Sequence, residues 1–168
     1  MLATIGYERA TPDDFIATLR IAKIRTLVDV RERAQSRRSG FSKKALAKAL
    51  GDAGVEYVHF PELGDPKEGR NAARAGNVAL FLSIFRDAMS TAKAKEALTK
   101  IEVLASEQMI CLMCFERSQN DCHRRIIAEE IENRLGIKAS HWRVIAGASN
   151  GGVKRRMLHS DQSAASSI

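Results

Sequence analysis

One stretch of the chain gathers most of its chemically active side chains: Cys114-Phe115-Glu116-Arg117-Ser118-Gln119-Asn120-Asp121-Cys122-His123-Arg124. Thiols, an imidazole, a carboxyl and guanidinium groups set this close together are the reagents of nucleophilic attack and proton transfer. The run from Met109 to Cys114 is almost wholly apolar and reads as a buried central strand that ends in a thiol. Asp121 is a candidate helix cap, which puts Cys122 in the first turn of the next helix. A helix N-terminus and the neighbouring His123, Arg124 and Arg125 all favour a thiolate there. At Cys114, burial acts the other way and raises the thiol pKa. Cys122 is therefore the expected nucleophile, with Cys114 as its partner or a substitute, and His123 or Glu116 would move protons. Each cysteine also has a plain packing role open to it. That role is strongest for Cys111, which lies three residues before Cys114 and so points to the opposite face of the strand.

Two other chemistries fit this stretch less well. The spacing lacks the paired ligands of structural zinc sites, and adjacent Cys122 and His123 are awkward joint ligands, so no metal is expected. The segment from Phe115 to Asp121 has no glycine, which disfavours a phosphate-cradling backbone loop. Nothing in the pattern names a cofactor.

A second constellation precedes it. Val28-Asp29-Val30-Arg31 is followed by Ser36-Arg37-Arg38 and by Gly40-Phe41-Ser42-Lys43-Lys44. Asp29 inside an apolar strand needs a partner, and Arg31 projects from the same face. One reading is a clamp that orders the loop. The other is an anion site in which Arg31, Arg37 and Arg38 meet a ligand beside the free N–H groups of a helix starting at Ser42. The two are compatible. Charge adds to the second reading: residues 20–48 hold ten basic side chains against Asp29 and Glu32. That segment is +8 in a chain of net +7, so the remainder sums to −1. A basic sector on a balanced protein points to an anionic partner, nucleic acid being the commonest large one, although a solvated helix face gives the same count.

The elements that must position these groups alternate strand and helix. Strands are expected at Leu2–Gly6, Thr26–Val30, Val55–His59, Met109–Cys114 and Lys138–Ile145. Thr11-Pro12-Asp13-Asp14 opens the first helix with a cap, a proline and two acids. Further helices are expected after Ser42, over Val78–Met89, over Lys93–Ser106, and from Asp121 to a stop at Gly136. Residues 61–77 read as a long loop. This order implies a single α/β domain over residues 1–146, with a largely parallel sheet of about five strands flanked by helices. Residues 147–168 read as a loosely held basic, Ser-rich tail. Ligands of open parallel sheets bind beyond the carboxyl ends of the strands. Tyr7, Arg31, Cys114, Cys122 and His123 are therefore expected to line one cleft.

The 168 residues carry 45% hydrophobic side chains and a mean hydropathy of −0.23, which excludes wholesale disorder. No apolar run approaches the roughly 20 residues of a membrane span. Three cysteines and no visible secretion signal predict reduced thiols in a cytoplasm, with no membrane partner.

Thr4-Ile5-Gly6-Tyr7-Glu8, Leu27-Val28-Asp29-Val30-Arg31, Leu63-Gly64-Asp65-Pro66 and the Cys114-x-Glu116 plus Cys122-His123-Arg124 pair stand in an order that resembles the family known as domain of unknown function 488. The resemblance runs from about Met1 to Trp142 and implies a small α/β domain. The family pattern carries glycine where this chain has Arg9 and often proline at Ala34. It implies no activity, substrate or cofactor.

The residues themselves point first to a cytoplasmic enzyme acting on a phosphate-bearing ligand, a nucleotide or nucleic acid. In that reading Arg31, Arg37, Arg38 and Arg124 hold the anion, beside Tyr7 and Asp29. The alternative is a non-enzymatic nucleic-acid-binding module with structural cysteines, although few aromatics are present to stack bases.

Overall fold

The computed structural model describes residues 1–151 of the chain. Its strands are β1 (Leu2–Gly6), β2 (Thr26–Asp29), β3 (Glu56–His59), β4 (Ile110–Cys114) and β5 (Ser140–Arg143). They form one sheet in the order β3-β2-β4-β1-β5 with every pairing parallel. Helices α1 (Pro12–Ile21), α2 (Lys43–Asp52), α3 (Lys67–Arg74), α4 (Val78–Met89), α5 (Ala92–Glu107) and α6 (Arg124–Leu135) cover it. No helix among the described residues is long and apolar enough to cross a membrane.

The faces follow from the direction in which each connection runs. Crossovers between parallel strands are right-handed, so connections moving in opposite directions along the sheet fall on opposite faces. Phe15 and Leu19 of α1 and Leu46 and Leu50 of α2 pack with Ala3, Ile5, Leu27, Cys111 and Met113. Phe85 of α4, Leu98 and Ile101 of α5 and Ile127 and Ile131 of α6 pack with Leu2, Val28, Leu112 and Cys114. Cys111 and Cys114 thus point to opposite faces, as the period of a strand requires.

Local signals set most of the boundaries. Thr11 Oγ1 accepts the Asp14 N–H to cap α1 behind Pro12. Gly136 ends α6 in the left-handed conformation at φ 63°. β5 is shorter than expected at both ends, and several other elements shift by a residue, but two departures are larger. Residues 61–77 are not a bare loop, since a 3-10 turn at Pro61–Leu63 and the whole of α3 lie within them. Asp121 does not cap α6; it closes a 3-10 turn over Gln119–Asp121 whose cap is Ser118, and α6 begins at Arg124 behind His123. At the other end, Gly147 and Ser149 donate backbone N–H groups to Asp14, so the stretch after residue 146 begins as an anchored turn. The remainder of the expected tail lies outside the described residues.

Arg9 adopts φ 62°, and its side chain is largely exposed. A left-handed residue with a Cβ costs roughly 1–2 kcal/mol, partly offset in glycine by its larger unfolded-state entropy. Arg9→Gly is therefore expected to stabilise the chain by about 0.5–1 kcal/mol. Urea unfolding at unchanged m-value would show it. A lower midpoint would mean that the Arg9 side chain contributes more than its backbone strain costs.

Candidate functional site

The carboxyl edge of the sheet carries two constellations, one on each face. On the α1–α2 side, Arg31 donates from Nε to Asp29 Oδ1 at 2.8 Å and from its second terminal nitrogen to Oδ2 at 2.6 Å. Its remaining terminal nitrogen meets Tyr7 Oη and the Phe41 carbonyl, both at 2.9 Å. Tyr57 donates its hydroxyl to Asp29 Oδ2 at 2.6 Å, and the Arg31 backbone N–H reaches Oδ1. Burial opposes the charge on Arg31, but the hydrogen bonds and charge of Asp29 outweigh it and hold the guanidinium firmly protonated. Tyr7 stacks on Phe41 with ring centroids 4.4 Å apart. Asp29 is fully buried and Arg31 nearly so. Tyr7, Asp29 and Arg31 are therefore one another's partners in a clamp. They share the sheet edge with the cysteines but not a common cleft, because side chains of alternate parity leave a strand on opposite faces.

On the other face lies the thiol centre. Cys114 ends β4, and Cys122 and His123 sit at the junction of the 3-10 turn and α6. Cys122 is extended (φ −138°) and His123 helical (φ −58°), and this change of conformation lets two adjacent side chains converge. His123 Nδ1 lies 3.8 Å from Cys114 Sγ and 4.0 Å from Cys122 Sγ. Its Nε2 sits 2.9 Å from the Val30 carbonyl, which can only accept, so Nε2 carries a proton and Nδ1 faces the sulfurs. Glu116 Oε2 is 3.3 Å from Cys114 Sγ.

The electrostatics separate the two thiols. Burial pushes Cys122 up, but the hydrogen bond from Cys114, the hydrogen bond and charge of His123 and the charge of Arg124 outweigh it and leave the thiol well below its usual value. Cys114 is raised, first by its hydrogen bond to Cys122 and then by burial. Burial alone raises Cys111 strongly. For His123, burial opposes the charged form, yet the hydrogen bond and charge of Cys122 win and raise it. Glu116 is pushed up to about 7 by burial and by the negative charge of Cys122. The arrangement sets a buried thiol whose pKa is lowered beside an imidazole whose pKa is raised, with a second thiol that is raised and a carboxyl that changes charge near neutrality.

This centre forms one wall of a cavity of about 690 Å³, bounded by Glu116, Asp121, Cys122 and His123 on one side and by α3 and α4 on the other. Phe81, Leu82, Val78 and Ile126 give it an apolar flank. Arg70, Arg74, Arg86 and Arg125 also line it. Arg70 is tied to Glu32 and to the Asp65 carbonyl, and Arg125 to Glu129 and Asn120. Arg74 and Arg86 make no ion pair among the described residues. Asp65 is buried with its Oδ1 unpartnered, and burial raises its pKa.

The remaining sequence candidates sit elsewhere. Arg124, 1% exposed, donates to the carbonyls of Glu116 and Arg117 and so ties down the loop between the two thiols. Arg38 donates to the Ala10 carbonyl, and Arg37 is exposed on the loop before α2. Neither lines the cavity. The basic sector is divided as well: Arg25 precedes β2 and Arg31 follows it, so Arg20, Lys23 and Arg25 lie at the amino edge while Arg33, Arg37 and Lys44 lie at the carboxyl edge. Sequence reading missed Asp65, Arg70, Arg74 and Arg86. The Leu63-Gly64-Asp65-Pro66 motif was the available signal for the first of them.

No curated protein matches this sequence. A family model described as domain of unknown function DUF488 matches residues 11–131, a span that holds the clamp from Asp29 onward, α3, α4 and the whole thiol centre. The chain belongs to the DUF488 family.

Proposed function

We propose that the chain is a cytoplasmic thiol-dependent enzyme acting on a small phosphate-bearing ligand of about nucleotide size, bound in the cavity between α3, α4 and the thiol centre. The supporting observation is the meeting of Cys122, its sulfur 4.0 Å from His123 Nδ1, with an arginine-lined cavity of a volume typical for small-molecule sites. Cys122 supplies the thiolate nucleophile and His123 stabilises it. Glu116, half protonated near neutrality, donates a proton to the leaving group. Arg74 and Arg86 meet the phosphate, a role that falls to them because Arg31 and Arg124 are committed to protein acceptors. The three cysteines are unpaired, in keeping with a reducing compartment. A nucleic-acid-binding module with structural cysteines is the weaker reading, since the basic side chains divide between opposite edges of the sheet.

Alkylation tests the reading without knowledge of the substrate. Iodoacetamide should label Cys122 first, with a pH midpoint well below that of an unperturbed thiol, about 8.5. The anionic reagent iodoacetate should react faster than its neutral analogue, and Arg74→Ala/Arg86→Ala should remove that preference. AMP should protect the thiol. First labelling at Cys111 or Cys114, or a midpoint at or above that of an unperturbed thiol, would sink the nucleophile assignment. Equal rates for the two reagents would remove the anion from the substrate.

A further inference from the structure

We propose that Cys114, Cys122 and His123 also form a binding site for a single Zn²⁺ ion, whose occupancy silences the Cys122 nucleophile. The silencing rests on the functional reading above; the metal site rests on geometry alone.

The three donor atoms all lie within 4.8 Å of one another, and the two sulfur–nitrogen separations are 3.8 and 4.0 Å. Zinc holds sulfur at about 2.3 Å and imidazole nitrogen at about 2.0–2.1 Å, so tetrahedral edges run to roughly 3.5–3.8 Å. Contraction of a few tenths of an ångström closes the sulfur–nitrogen pairs, within the reach of side-chain rotation. Joint coordination by sequence neighbours is feasible here because the backbone switches from extended at Cys122 to helical at His123.

The histidine is already oriented for this role. Its Nε2–H donates to the Val30 carbonyl, which leaves Nδ1 directed at both sulfurs. Metal-bound histidines characteristically give their other N–H to such an acceptor, which fixes the ring and its tautomer. Phe85 packs on the same ring with centroids 5.3 Å apart. Soft thiolate plus imidazole is a donor set that favours zinc over magnesium or calcium. Two thiolates neutralise the ion, which matters because each of the three residues is less than a tenth exposed.

Three protein ligands leave a fourth position, as in catalytic rather than structural zinc sites. Cys122 and His123 line the cavity together with Glu116, whose Oε2 lies 3.3 Å from Cys114 Sγ. Binding releases to solvent whatever protons the two sulfurs and His123 Nδ1 carry and engages the lone pair with which Cys122 would attack. No bond to carbon or phosphorus forms or breaks, and no redox partner is needed.

The test uses the full chain, stripped of metal with a chelator, and ZnCl₂ as the only added ligand. Competition against a chromophoric chelator should give one ion per chain. Cys114→Ser and His123→Asn should each weaken binding by more than roughly 100-fold, above the range of second-shell losses. Cys111→Ser should leave it unchanged. Cobalt(II) provides a second measurement, with thiolate charge-transfer absorbance expected in the wild type and lost in Cys122→Ser. One equivalent of zinc should slow Cys122 alkylation at least about tenfold, the shift that 1.4 kcal/mol of protection produces, and a chelator should restore it. Absence of stoichiometric binding, or loss with Cys111→Ser, overturns the site. Binding without protection overturns the silencing. If metal-free Cys122 resists alkylation while zinc still binds, the functional reading falls and the metal site stands.

Discussion

Asp29→Ala should destabilise the chain by about 3–5 kcal/mol, the usual cost of leaving one member of a buried ion pair unpartnered. The residue is completely buried and accepts from the Arg31 side chain, the Arg31 backbone and the Tyr57 hydroxyl. Its removal strands a guanidinium that cannot shed its proton. For a chain of this size each kcal/mol is worth roughly 2–4 °C, so the thermal midpoint should fall by about 10 °C. The double variant Asp29→Ala/Arg31→Met removes the stranded charge and should recover much of the loss. A single-variant loss below about 1 kcal/mol would show that water reaches the clamp. The consequence extends across the sheet. Asp29 and Arg31 flank Val30, whose carbonyl fixes the His123 ring. The variant should therefore also blunt Cys122 reactivity, measured by alkylation under conditions where the chain remains folded.

The contrast between what the sequence revealed and what it concealed follows from the range of each signal. Caps and strand runs act within a few residues, and Thr11-Pro12-Asp13-Asp14, the apolar run to Cys114 and the stop at Gly136 all lie where local chemistry places them. Helix α3 has the sequence KEGRNAAR, so polar that its buried face consists only of the small residues Gly69 and Ala72, and it is held by its packing against α4. No large apolar side chain announces it. The start of α6 falls later than the sequence suggests because Ser118 caps a 3-10 turn over Gln119–Asp121 that precedes the helix. The basic sector is contiguous only in sequence. Six residues of extended chain separate Arg25 from Arg31 by roughly 20 Å, so one charge run serves two ends of the molecule. The cysteine cluster was legible in kind. Its convergence at the carboxyl edge was legible too, but the joint approach of adjacent Cys122 and His123 was not, since it depends on a change of backbone conformation between them and on the Val30 carbonyl just beyond β2.

Gly6→Ala and Gly51→Ala make the same chemical change and should act in opposite directions. Gly51 lies inside α2, and a Cβ built there meets nothing within 4 Å. Alanine should stabilise that helix by about 0.5–1 kcal/mol through backbone entropy. Gly6 ends β1 in register with Cys114, and its Cβ would lie 1.8 Å from the Glu116 carbonyl oxygen and 2.6 Å from the carbonyl carbon. Both are backbone atoms, so no rotamer change relieves the overlap. The loop cannot simply step aside either. Tyr7 and Glu8 donate to the Cys114 and Phe115 carbonyls, and the Arg124 guanidinium donates to the Glu116 carbonyl itself. Displacing that carbonyl strands Arg124, whose Nε already lacks a partner. Overpacking costs about 1–3 kcal/mol and a lost charge-assisted hydrogen bond about 1.5–3, so the total should reach about 3 kcal/mol or more. The loop also carries Glu116 and holds Cys122 against Cys114, so alkylation of Cys122 at pH 7 should slow at least about tenfold in whatever fraction folds. A Gly6→Ala protein with wild-type stability and wild-type labelling would show that the loop can be displaced without disturbing the thiol centre, and the tight approach of β1 to Glu116 would lose its role in positioning it.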